Sequence, residues 1–423
     1  MEEGKFVEIV RSSGGHAFLV GGCVRDLLIG HPPKDRDYVV SGLDEDTFCT
    51  LFPSAKRMGK TFPVYLMELD GSSCEVAFAR KEWKTGHGYC GFHSESDASV
   101  TIEEDLYRRD TTMNSMALAL PDRELLDPYG GQEDIEKKRI RAVSRHFLED
   151  PVRALRAARQ SAELGFSIEE GTIGYMRKCR EELAEEPAER IFGELRRALR
   201  TDRPSVFFRN LEQAGLLKAT FPEIRQLIGK TQPEAFHPEG DAFEHTMEVV
   251  DHVAKNNRAE MDGGTKEQDH ALAVRFAALA HDLGKGTTPR SMLPHHYGHE
   301  QRGLDVLKAW NMRMTLPKLW MDAASFAIAQ HMRAPRMERP GKIVDLLIAI
   351  SKSQLGIRGF QHIIRADHKS LPLYLARAEE ILAVLAEVSG HNAPAALRGN
   401  EIANWIRREQ IRRYLLWLRR NKS

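Results

Sequence analysis

Hydrophobic and polar positions along the 423-residue chain follow two different periods, and the change between them falls near residue 131. Before that point, short apolar runs of strand length alternate with turn residues: AFLV at 17–20, RDYVV at 36–40, FPVYLMEL at 62–69 and CEVAF at 74–78. After DPYGG (127–131) the period lengthens. EDPVRALRAARQSAELGF and ERIFGELRRALR place apolar residues at i, i+3, i+4 and i+7, the spacing of one helix face. KTQPEAFHPEGD (230–241) reads as a linker. A second helical region runs from 241 to about 370, and an Ala- and Leu-rich helical tail ends in RREQIRRYLLWLRR. The pattern predicts an α+β fold: an N-terminal domain with a small mixed sheet, then all-α segments. The expected domains are 1–131, 132–228, 229–370 and 371–423.

Composition narrows the setting. A chain 42% hydrophobic can bury a substantial core. No apolar run nears the roughly 20 residues that span a bilayer, and the N-terminus MEEGKFVEIV is acidic where a signal peptide would be basic. A cytoplasmic location without membrane contact is therefore expected. Cys23, Cys49, Cys74, Cys90 and Cys179 are odd in number and lack CxxC spacing, so all five read as free thiols. Lys plus Arg and Asp plus Glu both total 61, so net charge does not announce a nucleic-acid binder. Distribution says more: Lys137, Lys138, Arg139, Arg141, Arg145, Arg153, Arg156 and Arg159, then Arg190, Arg196, Arg197, Arg200 and Arg203, form basic stretches that suit either a phosphate-tracking face or solvated helices.

The first candidate chemistry lies in FLVGGCVRDLLIGHPPKDRDYVV: a strand, a Gly21-Gly22 turn, a short helix carrying Arg25, and Asp35 and Asp37 at the start of a second strand. Residues two apart in a strand face one side, so the two carboxylates are expected to meet at one point. Hard divalent ions held by such oxygens, Mg²⁺ above all, activate an attacking 3′-hydroxyl and stabilise leaving pyrophosphate. The glycines let backbone N–H groups approach a triphosphate. Glu75 in CEVAFAR is a candidate third carboxylate on a neighbouring strand. In DLYRRDTTMNSMALAL, Arg108 and Arg109 suit phosphate, while Asp110 and Asn114 suit a ribose hydroxyl or a helix cap.

Taken together, GGCVRDLLIG with DRD, RRDTTMN, LLDPYGG and EDPVRALRAARQ, in this order, resemble the class II tRNA nucleotidyltransferase and bacterial poly(A) polymerase superfamily. Cys23, and Ser115 after the Asn of RRDxxxN, are small residues where Ala is usual. The resemblance implies a palm-like nucleotidyltransferase head with catalytic Asp35 and Asp37. It implies nucleotide binding by Gly22, Arg25, Arg109, Asp110, Asn114, Asp150, Arg153, Arg156 and Arg159. Its nucleotide-selecting motif, EDxxR, is here Glu149, Asp150 and Arg153, and the chemistry stands by itself. Cytosine and adenine both offer an amino donor beside a ring-nitrogen acceptor, so a carboxylate beside a guanidinium matches both and repels guanine and uracil. Asp150 and Arg153, at i and i+3, are expected on one helix face, with Glu149 orienting Arg153. The Gly- and Ser-containing stretch from Arg80 to Glu104 is aperiodic and expected to be mobile. In the superfamily a flexible loop here accompanies the switch from CTP to ATP.

The second helical region carries DAFEHTMEVV, RFAALAHDLGKGTTP, HHYGHE, QHM and RADHK. His245, His281, Asp282, His299, His331 and Asp367 make a mixed N/O ligand set for Ni²⁺ or another divalent transition metal. These residues resemble the HD phosphohydrolase superfamily. An HD domain joined to this head, with GKTFPVYLMEL, ARKEWKTGHGYCGF and FHPEGDAFEHT, resembles the multifunctional bacterial CCA-adding enzymes. That likeness implies template-independent CCA addition to tRNA from CTP and ATP, with phosphatase and 2′,3′-cyclic phosphodiesterase activity on RNA ends, in a monomer or weak homodimer. A poly(A) polymerase, or a hydrolase or RNA-binding protein with an inactive head, are the competing readings.

Overall fold

The computed structural model of the chain describes residues 1–33, 35–59, 63–84, 92–95, 97–234 and 240–421. The chain forms two compact units, Met1–Glu194 with Val206–Thr220, and Leu195–Ser205 with Phe221–Ser423.

In the first unit the strands are β1 (His16–Val20), β2 (Asp37–Ser41), β3 (Lys56–Met58), β4 (Val64–Leu69), β5 (Ser72–Phe78), β6 (Lys81–Lys84), β7 (Phe92–Glu95), β8 (Ala117–Ala119) and β9 (Glu124–Leu126). Seven of them make one mixed sheet, in the order β3-β4-β5-β2-β1-β8-β9. β2 and β5 run parallel, and the other neighbours are antiparallel. Alternate residues of β1 enter different cores. Ala17 and Leu19 pack with Phe6, Val10 and Phe48, whereas Phe18 and Val20 pack with Ile102 and Leu106. Because β1 is covered on both faces, it reads as a continuous apolar run, whereas β4 and β5 alternate buried with more exposed positions. The four expected strands are all present. β3, β8 and β9, three residues each, are too short to leave a periodic signal.

β6 and β7 pair as an antiparallel hairpin within the stretch expected to be aperiodic and mobile. That expectation is corrected for its flanks, where cross-strand backbone bonds supply the order that no side-chain period announces. Residues 85–91 and 96 lie outside the described residues. The expected linker at 230–241 is likewise anchored at both ends. Thr231 bridges to Asp241, and Asp241 caps the Ala242–Asn256 helix by accepting from the Phe243 and Glu244 amides. Residues 235–239 lie outside the described residues.

Among the described residues the second unit is helical apart from that single bridge. Its core joins Phe276, Trp310 and Trp320, with Phe276 stacked on Trp320 at 4.9 Å. No helix among the described residues is long and apolar enough to cross a membrane. Cys23, Cys49, Cys74 and Cys179 are free thiols, as expected, and Cys90 lies outside the described residues.

Candidate active sites

The first site forms where β1 ends and β2 begins. Val20 pairs with Asp37, and Asp37 is also the register partner of Glu75 on β5. Neighbouring strands lie about 4.8 Å apart and paired residues share a face, so the sheet itself brings the Asp37 and Glu75 carboxylates together. Burial raises the Asp37 carboxyl, and the Glu75 charge adds to it against the pull of Arg109. Asp35 stands two residues ahead of the strand, exposed in a bend. The expectation that strand alternation aligns it with Asp37 is therefore corrected: β2 starts at Asp37. The Asp35 charge is still close enough to raise the Asp37 carboxyl further.

Gly21 carries the turn with φ +74°, a backbone conformation that glycine adopts without strain. A Cβ there would come within 3.2 Å of an Arg109 guanidinium nitrogen and 3.9 Å of Asp37, so the glycine keeps the space between them open. A cleft of about 540 Å³ lies over this turn. All nine residues expected to bind nucleotide line it, together with Asp37.

Hydrogen bonds tie those residues into one frame. Arg25 Nη1 donates to Asn114 Oδ1 at 3.0 Å, Asn114 Nδ2 donates to Asp110 Oδ1 at 3.2 Å, and Arg156 Nε donates to Asp110 Oδ2 at 2.9 Å. Asp110 also accepts from the Thr111 amide at 2.8 Å, so local capping and the wider network coexist. Burial opposes ionisation of Asp110, but the Arg156 and Arg153 charges outweigh it and hold the carboxyl well below its ordinary range. Arg159 pairs with Glu194 at 2.7 Å and with Glu163 at 2.6 Å.

The selection motif is arranged differently from expectation. The helix begins at Val152, with Pro151 as its cap, so Asp150 stands just ahead of it. Both Asp150 oxygens accept from Arg190 Nη2 at 2.9 Å. Arg153 Nη1 donates to the His146 carbonyl at 2.6 Å, while Glu149 Oε1 meets His146 Nδ1 at 2.8 Å. Glu149 and Arg153 thus share His146 as a partner.

The second site gathers six residues from five helices. His245 sits within the Ala242–Asn256 helix, while His281 caps Thr265–Ala280 and Asp282 follows it. His299 opens His299–Met314, His331 caps Lys318–Gln330, and Asp367 lies in the last turn of Gly356–His368. All six are buried. Asp282 is central: its oxygens lie 3.2 Å from His281 Nε2, 3.3 Å from His331 Nε2, 3.4 Å from His299 Nε2 and 3.7 Å from His245 Nε2. His245 Nε2 is 3.1 Å from Asp367. Two ligand triads result, His245–His281–Asp282 and Asp282–His299–His331.

The ring orientations follow from the partners. Nδ1 of His281, His299 and His331 each faces a backbone carbonyl at 2.7–3.1 Å. A carbonyl only accepts, so Nδ1 carries a proton in each ring, and Nε2 is the atom left facing Asp282. Burial by itself would raise the Asp282 carboxyl, but the Lys285 and His281 charges outweigh it and keep it ionised. Lys285 Nζ lies 2.6 Å from Asp282. Gly284 is required by packing, since a Cβ there would lie 1.8 Å from the His299 carbonyl oxygen.

Comparison with known proteins matches a domain family to the region that holds each site. Residues 17–141 match the Poly A polymerase head domain, 165–228 match the probable RNA and SrmB-binding site of polymerase A, and 242–385 match the HD domain. The Multifunctional CCA protein of Paraburkholderia phymatum is 38% identical over 93% of this chain and 96% of its own. The chain belongs to the multifunctional CCA protein family. It is therefore a nucleotidyltransferase with an HD domain. A second family member, from Shewanella denitrificans, is 42% identical over 74% of this chain and 73% of its own. Among solved structures, an apo CCA-adding enzyme matches 97% of the chain and 90% of its own with TM-score 0.68 at 20% identity. The Thermotoga maritima CCA-adding enzyme complexed with tRNA_CCA matches the same shares with TM-score 0.64 at 18% identity. At such identities these structures speak to the fold.

Several residues in this family member's first unit were not nominated by the sequence. Asp105, fully buried, accepts from Arg108 Nε at 3.1 Å and from Arg109 Nη2 at 2.9 Å, and so fixes both arginines. Arg190 and Glu194 hold Asp150 and Arg159. Buried Asp134 pairs with Arg139 and Arg141, and Lys137 pairs with Glu133. Much of the basic stretch is thus internally neutralised. The i, i+3 and i, i+4 spacing of Asp105 to Arg108 and Arg109 was the one local signal available.

Proposed function

We propose that this chain completes the 3′ end of tRNA with CCA, drawing on CTP and ATP and releasing pyrophosphate. Residues 1–131 form the head, 132–228 the selecting and RNA-binding neck, 229–370 the HD domain and 371–423 a helical tail. The observation that carries the reading is the convergence of Asp37 and all nine expected nucleotide-binding residues on one cleft. The names of the relatives support the same activity.

Asp35, Asp37 and Glu75 supply only oxygen donors, and the burial and carboxylate repulsion that raise Asp37 are what a divalent cation offsets, so the set fits Mg²⁺. Bound there, Mg²⁺ supplies charge neutralisation at the attacking and leaving oxygens. The Gly21 turn leaves room for the triphosphate, and Arg109 faces that space from a position fixed by Asp105. Asp150 and Arg153 present an acceptor and a donor to the base, with Arg153 braced on His146. Arg190 engages Asp150 fully here, so base recognition requires that pair to share or release the carboxylate.

In the HD domain, His245, His281, Asp282, His299, His331 and Asp367 would hold divalent metal, with Asp282 common to both ligand triads and Asp367 beside His245. Among the described residues His281 Nε2, both Asp282 oxygens and Asp367 Oδ2 are buried without a directed hydrogen bond, although charged nitrogens lie near Asp282. The nitrogen-rich set suits Ni²⁺, Mn²⁺ or Co²⁺, and such ions supply Lewis-acid activation for phosphate-ester hydrolysis. We assign to this centre the phosphatase and 2′,3′-cyclic phosphodiesterase activities that ready an RNA end for nucleotide addition.

The test is incubation of tRNA lacking CCA with each labelled NTP alone, then with CTP and ATP together. The expected result is incorporation of C from CTP alone, a three-nucleotide extension with both, and no use of GTP or UTP. Growth of an A tract from ATP alone would instead identify a poly(A) polymerase, and no incorporation at all would mean an inactive head.

A further inference from the structure

Beside the HD centre lies a second cleft of about 540 Å³, and its rim carries a feature that hydrolysis does not require. Tyr297 is 71% exposed, and its ring stacks on His295 with centroids 5.5 Å apart and planes 20° from parallel. Single exposed aromatics are common and mean little by themselves. Position and rigidity distinguish this one. Tyr297 and His295 line the same cleft as Lys285, His299 and Asp367. Tyr297 is also two residues from His299, so their Cα atoms are within about 7 Å.

The segment that displays the pair is pinned from three directions. Arg302 Nη1 donates to the Tyr297 carbonyl at 2.6 Å, while His296 meets Thr288 Oγ1 at 2.9 Å and the Thr231 carbonyl at 3.0 Å. An aromatic held this way loses little freedom when a ligand stacks on it. Arg336 and Lys369 line the same cleft and suit a phosphate.

We propose that Tyr297, backed by His295, is a stacking platform for the terminal nucleobase, so that this centre takes phosphate esters of nucleotides in preference to esters without a base. The proposal rests on the hydrolase reading above. Stacking accepts every base because each has a π-face. It therefore suits an RNA end whose last base varies, whereas the head cleft selects C and A by hydrogen bonding.

The test uses the metal-replete full chain with guanosine 3′-monophosphate and ribose 3-phosphate; guanine is chosen because the head's base template rejects it. Binding and hydrolysis are measured for the unmodified protein, Tyr297→Ala and Tyr297→Phe. The nucleotide is expected to bind about tenfold more tightly than the sugar phosphate, in line with the contribution of one stacked base. Tyr297→Ala should lose most of that preference and Tyr297→Phe should keep it. Equal binding of the two ligands by the unmodified protein overturns the platform, as does a preference that survives in Tyr297→Ala. The two readings separate in the same samples. Hydrolysis of both esters without a preference overturns the platform and leaves the hydrolase standing. A tyrosine-dependent preference without hydrolysis does the reverse, and neither binding preference nor hydrolysis overturns both.

Discussion

The head cleft and the HD centre, both proposed to act on phosphate, are built from opposite materials. In the head, strand pairing sets carboxylates at the mouth of an open cleft, and arginines held by buried acids such as Asp105 and Asp110 surround them. In the HD domain, four imidazoles and two carboxylates are buried at or near helix ends, with backbone carbonyls orienting three of the rings through Nδ1. A site proposed to admit a triphosphate and an RNA end leaves its charges within reach of water, and here they are balanced by guanidinium groups anchored on buried acids. A buried site has no such freedom, and its charges are tolerable only when compact ligands share them.

That contrast predicts separable chemistries, and the largest effects should come from breaking one centre at a time. Asp37→Ala should lower nucleotide addition on the order of a thousandfold, because charge stabilisation by a bound cation is worth several kcal/mol. Cyclic-phosphate hydrolysis in the same variant should remain. Replacing His281 and Asp282 together by Ala should reverse the pattern. Parallel steady-state assays of both reactions decide it, and loss of both activities in either variant breaks the comparison.

A smaller effect separates reading the base from performing the transfer. Arg153→Ala should admit UTP or GTP, with discrimination falling by roughly 1–3 kcal/mol per lost bidentate contact. Competition between labelled CTP and UTP measures it, and unchanged preference would place selection elsewhere.

Asp105 tests whether the head arginines depend on their buried partner. Burial opposes its charge, but Arg108 and Arg109 hold its carboxyl down at about 2, below the ordinary 3.8. A depressed folded-state value means the stabilisation is complete above 3.8 and is lost as pH falls through about 2. That shift corresponds to about 2 kcal/mol at neutral pH. Asp105→Asn should show a deficit of that order in urea unfolding at pH 7, and the gap from the unmodified protein should narrow below pH 3.8. The last is Gly21→Ala: at φ +74° and ψ −138°, outside the left-handed helical region, it costs on the order of 1–3 kcal/mol of backbone strain. Its methyl also crowds Arg109, so KM for nucleotide should rise more than stability falls.

Both centres were legible in the sequence to different depths. The HD ligands could be named one by one, because His and Asp on otherwise apolar helices have few other uses, and the structure brings all six together. In the head, Asp37 and the nine nucleotide-binding residues were likewise nominated, yet the strand argument misplaced Asp35, since no local signal showed that β2 begins at Asp37. Asp105, Asp134 and Glu194 escaped because a buried acid paired with arginine looks in sequence like any other charged surface, and Arg190 was legible only as part of a basic stretch. The β6–β7 hairpin escaped because backbone pairing, not side-chain alternation, defines it.

What the sequence determined by itself was local and compositional: the strand and helix periods, the glycine turn, the ligand types and the acceptor-and-donor pair of the selection motif. These depend on neighbours within a few residues, where spacing dictates which side chains share a face. Only the tertiary structure decided that Glu75 is the register partner of Asp37, that Asp150 is engaged by Arg190, and that Asp282 lies at the centre of four imidazoles. Asp37 and Glu75 are 38 positions apart and Asp150 and Arg190 are 40 apart, while the four imidazoles around Asp282 come from four separate helices. Their meeting depends on how sheets register and helices pack, which no short window of sequence contains.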